Sequence, residues 1–362
     1  MESAWPGVVR DKPPEVEHAN SSNRLLSKKI NNEKDVILFK TTSPAYINLK
    51  TFINLLCEKI FASGNKTLNH KYQIQNEIFH KCSELLDELA RLCDETDLTQ
   101  AKGSAPLRFG HIAFRDWFDL MRVKCKEFIY TQLIQDGHKN EQYSEELLCY
   151  LSESFGNKMR IDYGTGHELS FIIFTMGLSN LINRPDRAEG GDDSLIQDYP
   201  VVTQERLKVF VNQCGWDILA LFAHKYLRLC RRIQTKFRLE PAGSRGVYNM
   251  DDFQYLPFLF GAAQLSGTKY IAIKDFHLPD NADMYKRDFM FFEAVDFILN
   301  NKRGPFHEHS YTLWCFTDLG SWDNIYRRIK MKFTDDVLGP FPIVQHILFG
   351  KYILRWDPDN VQ

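Results

Sequence analysis

Six side chains that can carry charge or hold a proton crowd into one short stretch: Lys158, Arg160, Asp162, Tyr163, His167 and Glu168. They surround the turn Gly164-Thr165-Gly166, and an apolar run from Leu169 to Ile182 follows at once. Glycines at such a turn leave backbone N–H groups open at little steric cost. A helix beginning there aims its partial positive charge at the turn, which suits an anion. Arg160 adds a planar cation matched to phosphate. A lone Gly-x-Gly is more often a plain helix start with solvated charges. The density of polar groups ahead of a helix that reads as buried favours a site here.

Asp251-Asp252 follows a second glycine-rich loop, Gly243-Ser244-Arg245-Gly246. Carboxylates beside glycine carbonyls offer the hard oxygen ligands that Mg²⁺ takes, usually together with water and phosphate. The plainer role for either aspartate is to cap the helix that follows. Neither glycine loop has the Walker A pattern or opens a strand–turn–helix unit, so P-loop and dinucleotide-binding readings fail. His307-Glu308-His309 lacks the spacing that puts two imidazoles on one helix face, and a structural loop explains it better than zinc. Gln345-His346 is polar within Phe341-Pro342-Ile343-Val344 and reads as a satisfied core pair. No nucleophile elbow and no catalytic cysteine signature is present, so hydrolysis through a covalent intermediate has no support.

Helices must position these groups. Apolar residues at helical spacing mark one helix from Ser43-Pro44, carrying Leu49, Phe52, Ile53, Leu56 and Ile60. Others carry Ile78 to Leu92, Phe114 to Ile129, and Leu147 to Phe155, the last capped by Ser144. Further helices are expected at about 203–213, 215–237, 289–299, 322–333 and 341–350, and an apolar run with Pro257 inside spans Phe253 to Leu265. Residues 266–283 read as irregular. Strand alternation is scarce and no internal repeat is found. The expected class is all-α, with helices packed by ridges and grooves. Residues 1–34, rich in Pro, Glu, Asn, Ser and Lys, read as a disordered polar tail before a domain spanning 35–356.

The 362 residues are 44% hydrophobic and 25% charged, with a net charge of −2. These values fit a globular chain and give no basic surface for nucleic acid or anionic lipid. Eight cysteines without a Cys-x-x-Cys pair indicate reduced, mostly buried thiols and a cytoplasmic or nuclear location. No secretory signal opens the chain, and its apolar runs are too short or too interrupted to span a membrane.

Five blocks occur in one order: Arg108-Phe109-Gly110 with Phe114-Arg115-Asp116-Trp117, then Gly156–Glu168, Glu240–Gln264, Pro305–Ser310 and Pro342–His346. Over roughly Asp35 to Gly350 the sequence resembles the phosphotyrosyl phosphatase activator family, the activators of protein phosphatase 2A. The resemblance implies an all-helical fold with core, linker and lid subdomains around a deep cleft. It implies Mg-ATP bound where the activator meets the phosphatase catalytic subunit, with the scaffold subunit as a further partner. It also implies peptidyl-prolyl cis–trans isomerase activity on a proline-containing peptide segment, with no assignable catalytic residue. By the same resemblance Arg160, Thr165 and Gly166 meet the phosphates. Gly246, through its carbonyl, and Asp252 hold Mg²⁺. Gln345, His346 and Leu348 line the rest of the nucleotide pocket. The chain departs from the family pattern at Phe155, at Tyr248-Asn249-Met250 and at Leu348, where a basic residue is common. The segment at about 183–214 is longer than usual. The alternative is a helical adaptor that binds partners without a ligand.

Overall fold

The computed structural model describes residues 25–63, 72–99, 110–134, 140–182, 199–243, 249–269 and 271–357. In chain order its elements are β1 (Ser27–Lys28), α1 (Glu33–Thr42), α2 (Pro44–Ala62), α3 (Glu77–Glu95), α4 (Ala113–Phe128) and α5 (Glu141–Glu153). Then come β2 (Asp162–Tyr163), α6 (Thr165–Gly177), α7 (Ser179–Ile182), α8 (Gln204–Leu221), α9 (Leu227–Phe237) and β3 (Glu240–Pro241). The last are α10 (Leu256–Leu265), α11 (Pro279–Tyr285), α12 (Met290–Asn301), α13 (Phe306–His309), α14 (Tyr311–Trp314), α15 (Trp322–Asp336), α16 (Phe341–Val344) and β4 (Leu348–Phe349). Among the described residues, strand pairing is confined to antiparallel β1–β4 and parallel β2–β3. The fold is all-α.

Local chemistry sets the helix starts. Asn32 opens α1 with a capping box: its side chain accepts from Lys34 and Asp35, and Asp35 accepts back from the Asn32 N–H. Such a box satisfies donors that a helix start leaves orphaned. Pro44 begins α2, where its missing N–H costs nothing. Leu49, Phe52, Ile53, Leu56 and Ile60 of that helix are all buried, and α2 packs along α8.

The core is one contiguous hydrophobic cluster. α6 runs through it, with every residue from Phe171 to Gly177 buried, and the Phe171 ring stacks on Tyr226 at 3.8 Å and 7°. α10 packs between α12 and α15. Gly261 lets α10 approach α12, because a Cβ there would fall on the Phe291 backbone nitrogen.

Several boundaries differ from the sequence reading. The expected tail to residue 34 is too long, since Ser27–Lys28 pairs with Leu348–Phe349 and Ile30 is buried. Residues 1–24 lie outside the described residues, as do 183–198 of the long connection. Asn140, not Ser144, caps α5, accepting from the Tyr143 N–H; Ser144 lies inside the helix and its hydroxyl donates back to the Asn140 carbonyl. The helices expected at 203–213 and 215–237 form one continuous run, α8 and α9 joined by a π-helical turn at Phe222–Tyr226. Gly215 does not break it; the site faces the Lys59 side chain, with room for little more than hydrogen. The expected helix 341–350 stops at Val344 and gives way to β4. The stretch read as irregular contains α11, started by Pro279. All eight cysteines are free thiols, six of them buried. Among the described residues no helix is long and apolar enough to cross a membrane.

Candidate functional site

A tight turn delivers the site. The Asn157 side chain accepts from the Met159 and Arg160 N–H groups, and the Asn157 N–H donates to the Asp162 carbonyl. Ile161, inside this turn, is left-handed at φ 53°, a rare and strained conformation for a β-branched residue. The turn leads into β2, which pairs in parallel with β3 through Asp162↔Glu240 and Tyr163↔Pro241. Gly164 then passes against Ala242 and becomes the N-cap of α6, as a residue with no side chain to cap it. The first intrahelical bonds come from the His167 and Glu168 N–H groups. The N–H groups of Thr165 and Gly166 precede them, as an anion site at a helix start requires.

Charge gathers at this helix start. Arg160 Nε donates to Asp162 Oδ2 at 2.7 Å. Asp162 Oδ1 is buried without a hydrogen-bond partner among the described residues and lies 4.0 Å from His167 Nε2. His167 Nδ1 sits 2.6 Å from the Glu153 carbonyl. A carbonyl only accepts, so Nδ1 carries the proton in the neutral ring and Nε2 faces Asp162 as a second acceptor. Burial pulls the His167 imidazole down to about 4, which keeps it neutral at physiological pH.

α16 closes the site from the other side. A Cβ on Gly166 would lie 3.8 Å from Ile343 Cγ2. His346 is close enough to feel Arg160, Asp162 and Lys28. The core pair expected at Gln345-His346 does not form, since Gln345 is half-buried and His346 exposed; desolvation by nearby groups and then the two cations hold the His346 imidazole below the ordinary value, against the pull of Asp162. Arg160, Thr165, Gly166 and His346 therefore share one site. Gln345 lies beside it, with its side-chain amide donating to the Pro342 carbonyl at 3.4 Å. Leu348 lies one step further on, in β4, where its carbonyl accepts from Tyr150 Oη at 2.7 Å.

The acidic turn approaches from β3. Gly246 lies outside the described residues. Neither aspartate caps α10, whose N-cap is Tyr255; Asp251 closes the turn ahead of it, its Oδ2 accepting from the Phe253 and Gln254 N–H groups at 3.1 Å each. Asp252 instead pairs with Lys302 at 2.7 Å. Lys302 also reaches the His309 carbonyl at 3.4 Å, which brings in the Pro305–Ser310 block. The Phe253 ring lies 6.4 Å from Tyr163. Glu168, one helical turn inside α6, accepts from the Tyr255 and Leu256 N–H groups at 2.8 and 3.0 Å. Burial pushes its carboxyl up to about 8, with the two N–H bonds pulling the other way.

The two glycine-bordered segments thus meet through Tyr163–Phe253 and through Glu168. No group of three His, Cys, Asp or Glu among the described residues could hold a metal by itself. Asp252 offers one carboxylate already neutralised by Lys302. That donor set fits a cation that brings most of its own shell as phosphate oxygen and water, the usual habit of Mg²⁺, and not an ion caged by protein alone.

The sequence did not single out Lys302, which with Arg303 looks like an ordinary basic helix end. The role of Glu168 as a bridge between two helices was equally invisible, because its partners are backbone N–H groups far along the chain.

Comparison with known proteins covers the whole of this region. A family model described as "Phosphotyrosyl phosphate activator (PTPA) protein" matches residues 26–356. The chain is 34% identical over 333 residues to a serine/threonine-protein phosphatase 2A activator of Drosophila melanogaster, covering 92% of this chain and 74% of that protein. It is 33% identical over 328 residues to a probable serine/threonine-protein phosphatase 2A activator 1 of Dictyostelium discoideum, covering 90% and 89%. The crystal structure of the PP2A phosphatase activator Ypa1 PTPA1 superposes with a TM-score of 0.73 at 24% identity, covering 92% of this chain and 95% of that one, and shows the same fold.

Proposed function

The chain belongs to the phosphotyrosyl phosphatase activator family, and from that premise we propose that it activates protein phosphatase 2A by binding Mg-ATP against the phosphatase catalytic subunit. The observation that carries the nucleotide reading is the meeting of Arg160, the open start of α6 and His346 beside a carboxylate turn. Arg160 and the Thr165 and Gly166 N–H groups hold phosphate. Asp252 would hold Mg²⁺ together with the Gly246 carbonyl, and the Lys302 ammonium beside Asp252 would add a cation for phosphate. Gln345, His346 and Leu348 flank the nucleotide. Bound Mg-ATP supplies charge and surface at the interface, and this chain's binding energy then favours the active phosphatase conformation, by as much as its affinity for the two conformations differs.

The test is co-purification with the phosphatase 2A catalytic subunit, with and without the scaffold subunit and Mg-ATP, followed by phosphatase assay. Arg160→Ala and Asp252→Ala are each expected to weaken ATP-dependent activation at least tenfold, with the fold retained by circular dichroism. Activation at wild-type strength in both variants would refute the site. In the same reading, the chain is a peptidyl-prolyl isomerase. The amide rotation barrier is about 18–20 kcal/mol, and an apolar groove that favours the twisted amide lowers it without covalent chemistry. A proline-peptide assay at background rate with Mg-ATP present removes that activity. We infer a cytoplasmic or nuclear location from the eight cysteines without a Cys-x-x-Cys pair, a pattern that suits a reducing compartment.

A further inference from the structure

Glu168 occupies a position that the nucleotide reading does not use. It is 1% exposed and sits in the first turn of α6, directly after Thr165, Gly166 and His167. Its Oε2 takes two hydrogen bonds, both from the backbone start of another helix: Tyr255, the N-cap of α10, and Leu256, its first residue. Tyr255 has no side-chain cap of its own bonding there. One carboxyl group therefore terminates α10 and, from the same atom, anchors it to α6. The segment so anchored carries Asp251 and Asp252 immediately upstream of α10. The second oxygen, Oε1, is buried with no hydrogen-bond partner among the described residues.

The surroundings show why a small, hydrogen-bonded group and not a free charge suits this position. Asp251 faces Glu168 from the turn before α10. Arg231 and Cys230 face it from α9, Tyr226 from the π-helical turn and Tyr163 from β2. Arg231 is itself engaged by Glu293 at 2.9 Å, so it is not a dedicated counter-ion. A proton on Oε1 leaves both bonds to Oε2 intact, and the tie survives as a neutral acid.

We propose that Glu168 is the positioning residue that holds the Asp251–Asp252 turn in register with the glycine turn at the start of α6, fixing the distance between the two halves of the site. Neither half contacts the other through Arg160 or Asp252, each of which is engaged locally by Asp162 or Lys302. The register depends on the backbone N–H groups at 255 and 256 finding one acceptor. A buried helix start deprived of that acceptor must open to water or shift.

This inference deepens the nucleotide reading but is testable without it. The first measurement is amide hydrogen exchange on the full chain without ligand. In Glu168→Ala, and in Glu168→Asp, which keeps the carboxyl group but is one methylene too short, exchange at 253–256 is expected to rise at least tenfold. Exchange within α12 and α15 is expected to stay near wild type. Glu168→Gln, whose amide oxygen can accept both N–H groups, is expected to restore protection. If the alanine variant does not fold, the aspartate and glutamine variants carry the comparison. Wild-type protection in Glu168→Asp, or loss of protection in Glu168→Gln equal to that in the alanine variant, would overturn the proposal.

The second measurement is Mg-ATP binding by calorimetry, with ATP in chelator as the reference. Glu168→Asp is expected to lose about tenfold in the Mg²⁺-dependent part of the affinity and little in the Mg²⁺-free part, and Glu168→Gln to retain both. Equal loss in both parts would contradict a role in register. If the wild type binds no Mg-ATP, the nucleotide reading fails while the exchange result still decides the tie.

Discussion

Two neighbouring residues at the start of α6 are tuned in opposite directions. Burial raises Glu168 from 4.5 to about 8, against the two N–H bonds that favour its charged form. The folded chain then holds a proton that the unfolded chain has released between about pH 4.5 and 8, so this group makes stability fall as pH rises. His167 does the reverse. Its pKa drops from 6.5 to about 4, the unfolded chain takes the proton first, and stability rises with pH across that window. The two oppose each other below pH 6.5, and above it Glu168 acts without His167. The unfolding free energy is therefore expected to decline between pH 6.5 and 8, with a slope of up to ~1.4 kcal/mol per pH unit, and the melting temperature to fall with it. Glu168→Gln should flatten that decline. A wild-type profile already flat over this range would contradict the assignment. The crowding of polar residues at 158–168 was legible from residue types alone. Their opposite protonation was not, because it depends on burial and on partners supplied by residues 153, 255 and 256.

At the scale of elements, apolar spacing located the long helices, since α2, α3 and α4 each bury one coherent face. Spacing failed where tertiary contact overrides local preference. The apolar pattern reads as two helices parted near 214, yet α8 runs on through Gly215, a site where the Lys59 stem leaves little room for a side chain. Residues 345–350 read as helix, yet the chain extends to pair with β1. Gly261 shows the same rule from the packing side. It sits in the middle of α10, where glycine costs about 1 kcal/mol of propensity relative to alanine, and is needed because Phe291 of α12 lies against its backbone. Gly261→Ala should therefore destabilise the chain, by about 1–3 kcal/mol, in the range of overpacked cores. Chemical denaturation measures this directly. A variant as stable as wild type would mean that α10 and α12 can separate at no cost.

At the scale of the whole molecule, the last described segment ties together β1, α2, α5 and the stretch before α8. β4 pairs with β1, the Ala45 N–H donates to the Arg355 carbonyl, and the Val202 N–H donates to the Tyr352 carbonyl. Glu146, with no exposed surface, accepts from the Lys351, Tyr352 and Ile353 N–H groups. Sequence could not announce this, because Glu146 stands beside Glu145 on a helix and looks like an ordinary solvated charge. A chain ending at Ile347 leaves that carboxylate buried with no donor and β1 without its strand partner. It is expected to stay unfolded, judged by loss of the cooperative thermal transition; a sharp transition near the wild-type temperature would count against this role. The same arrangement has a consequence during synthesis. The first helices leave the ribosome long before their closing partners exist, so the nascent chain must wait, with apolar faces uncovered, until residues 348–355 emerge. Its dependence on chaperones should therefore be set by translation of the far end, and mutations that slow or truncate that end should act as folding lesions even though they lie outside the nucleotide-facing turns.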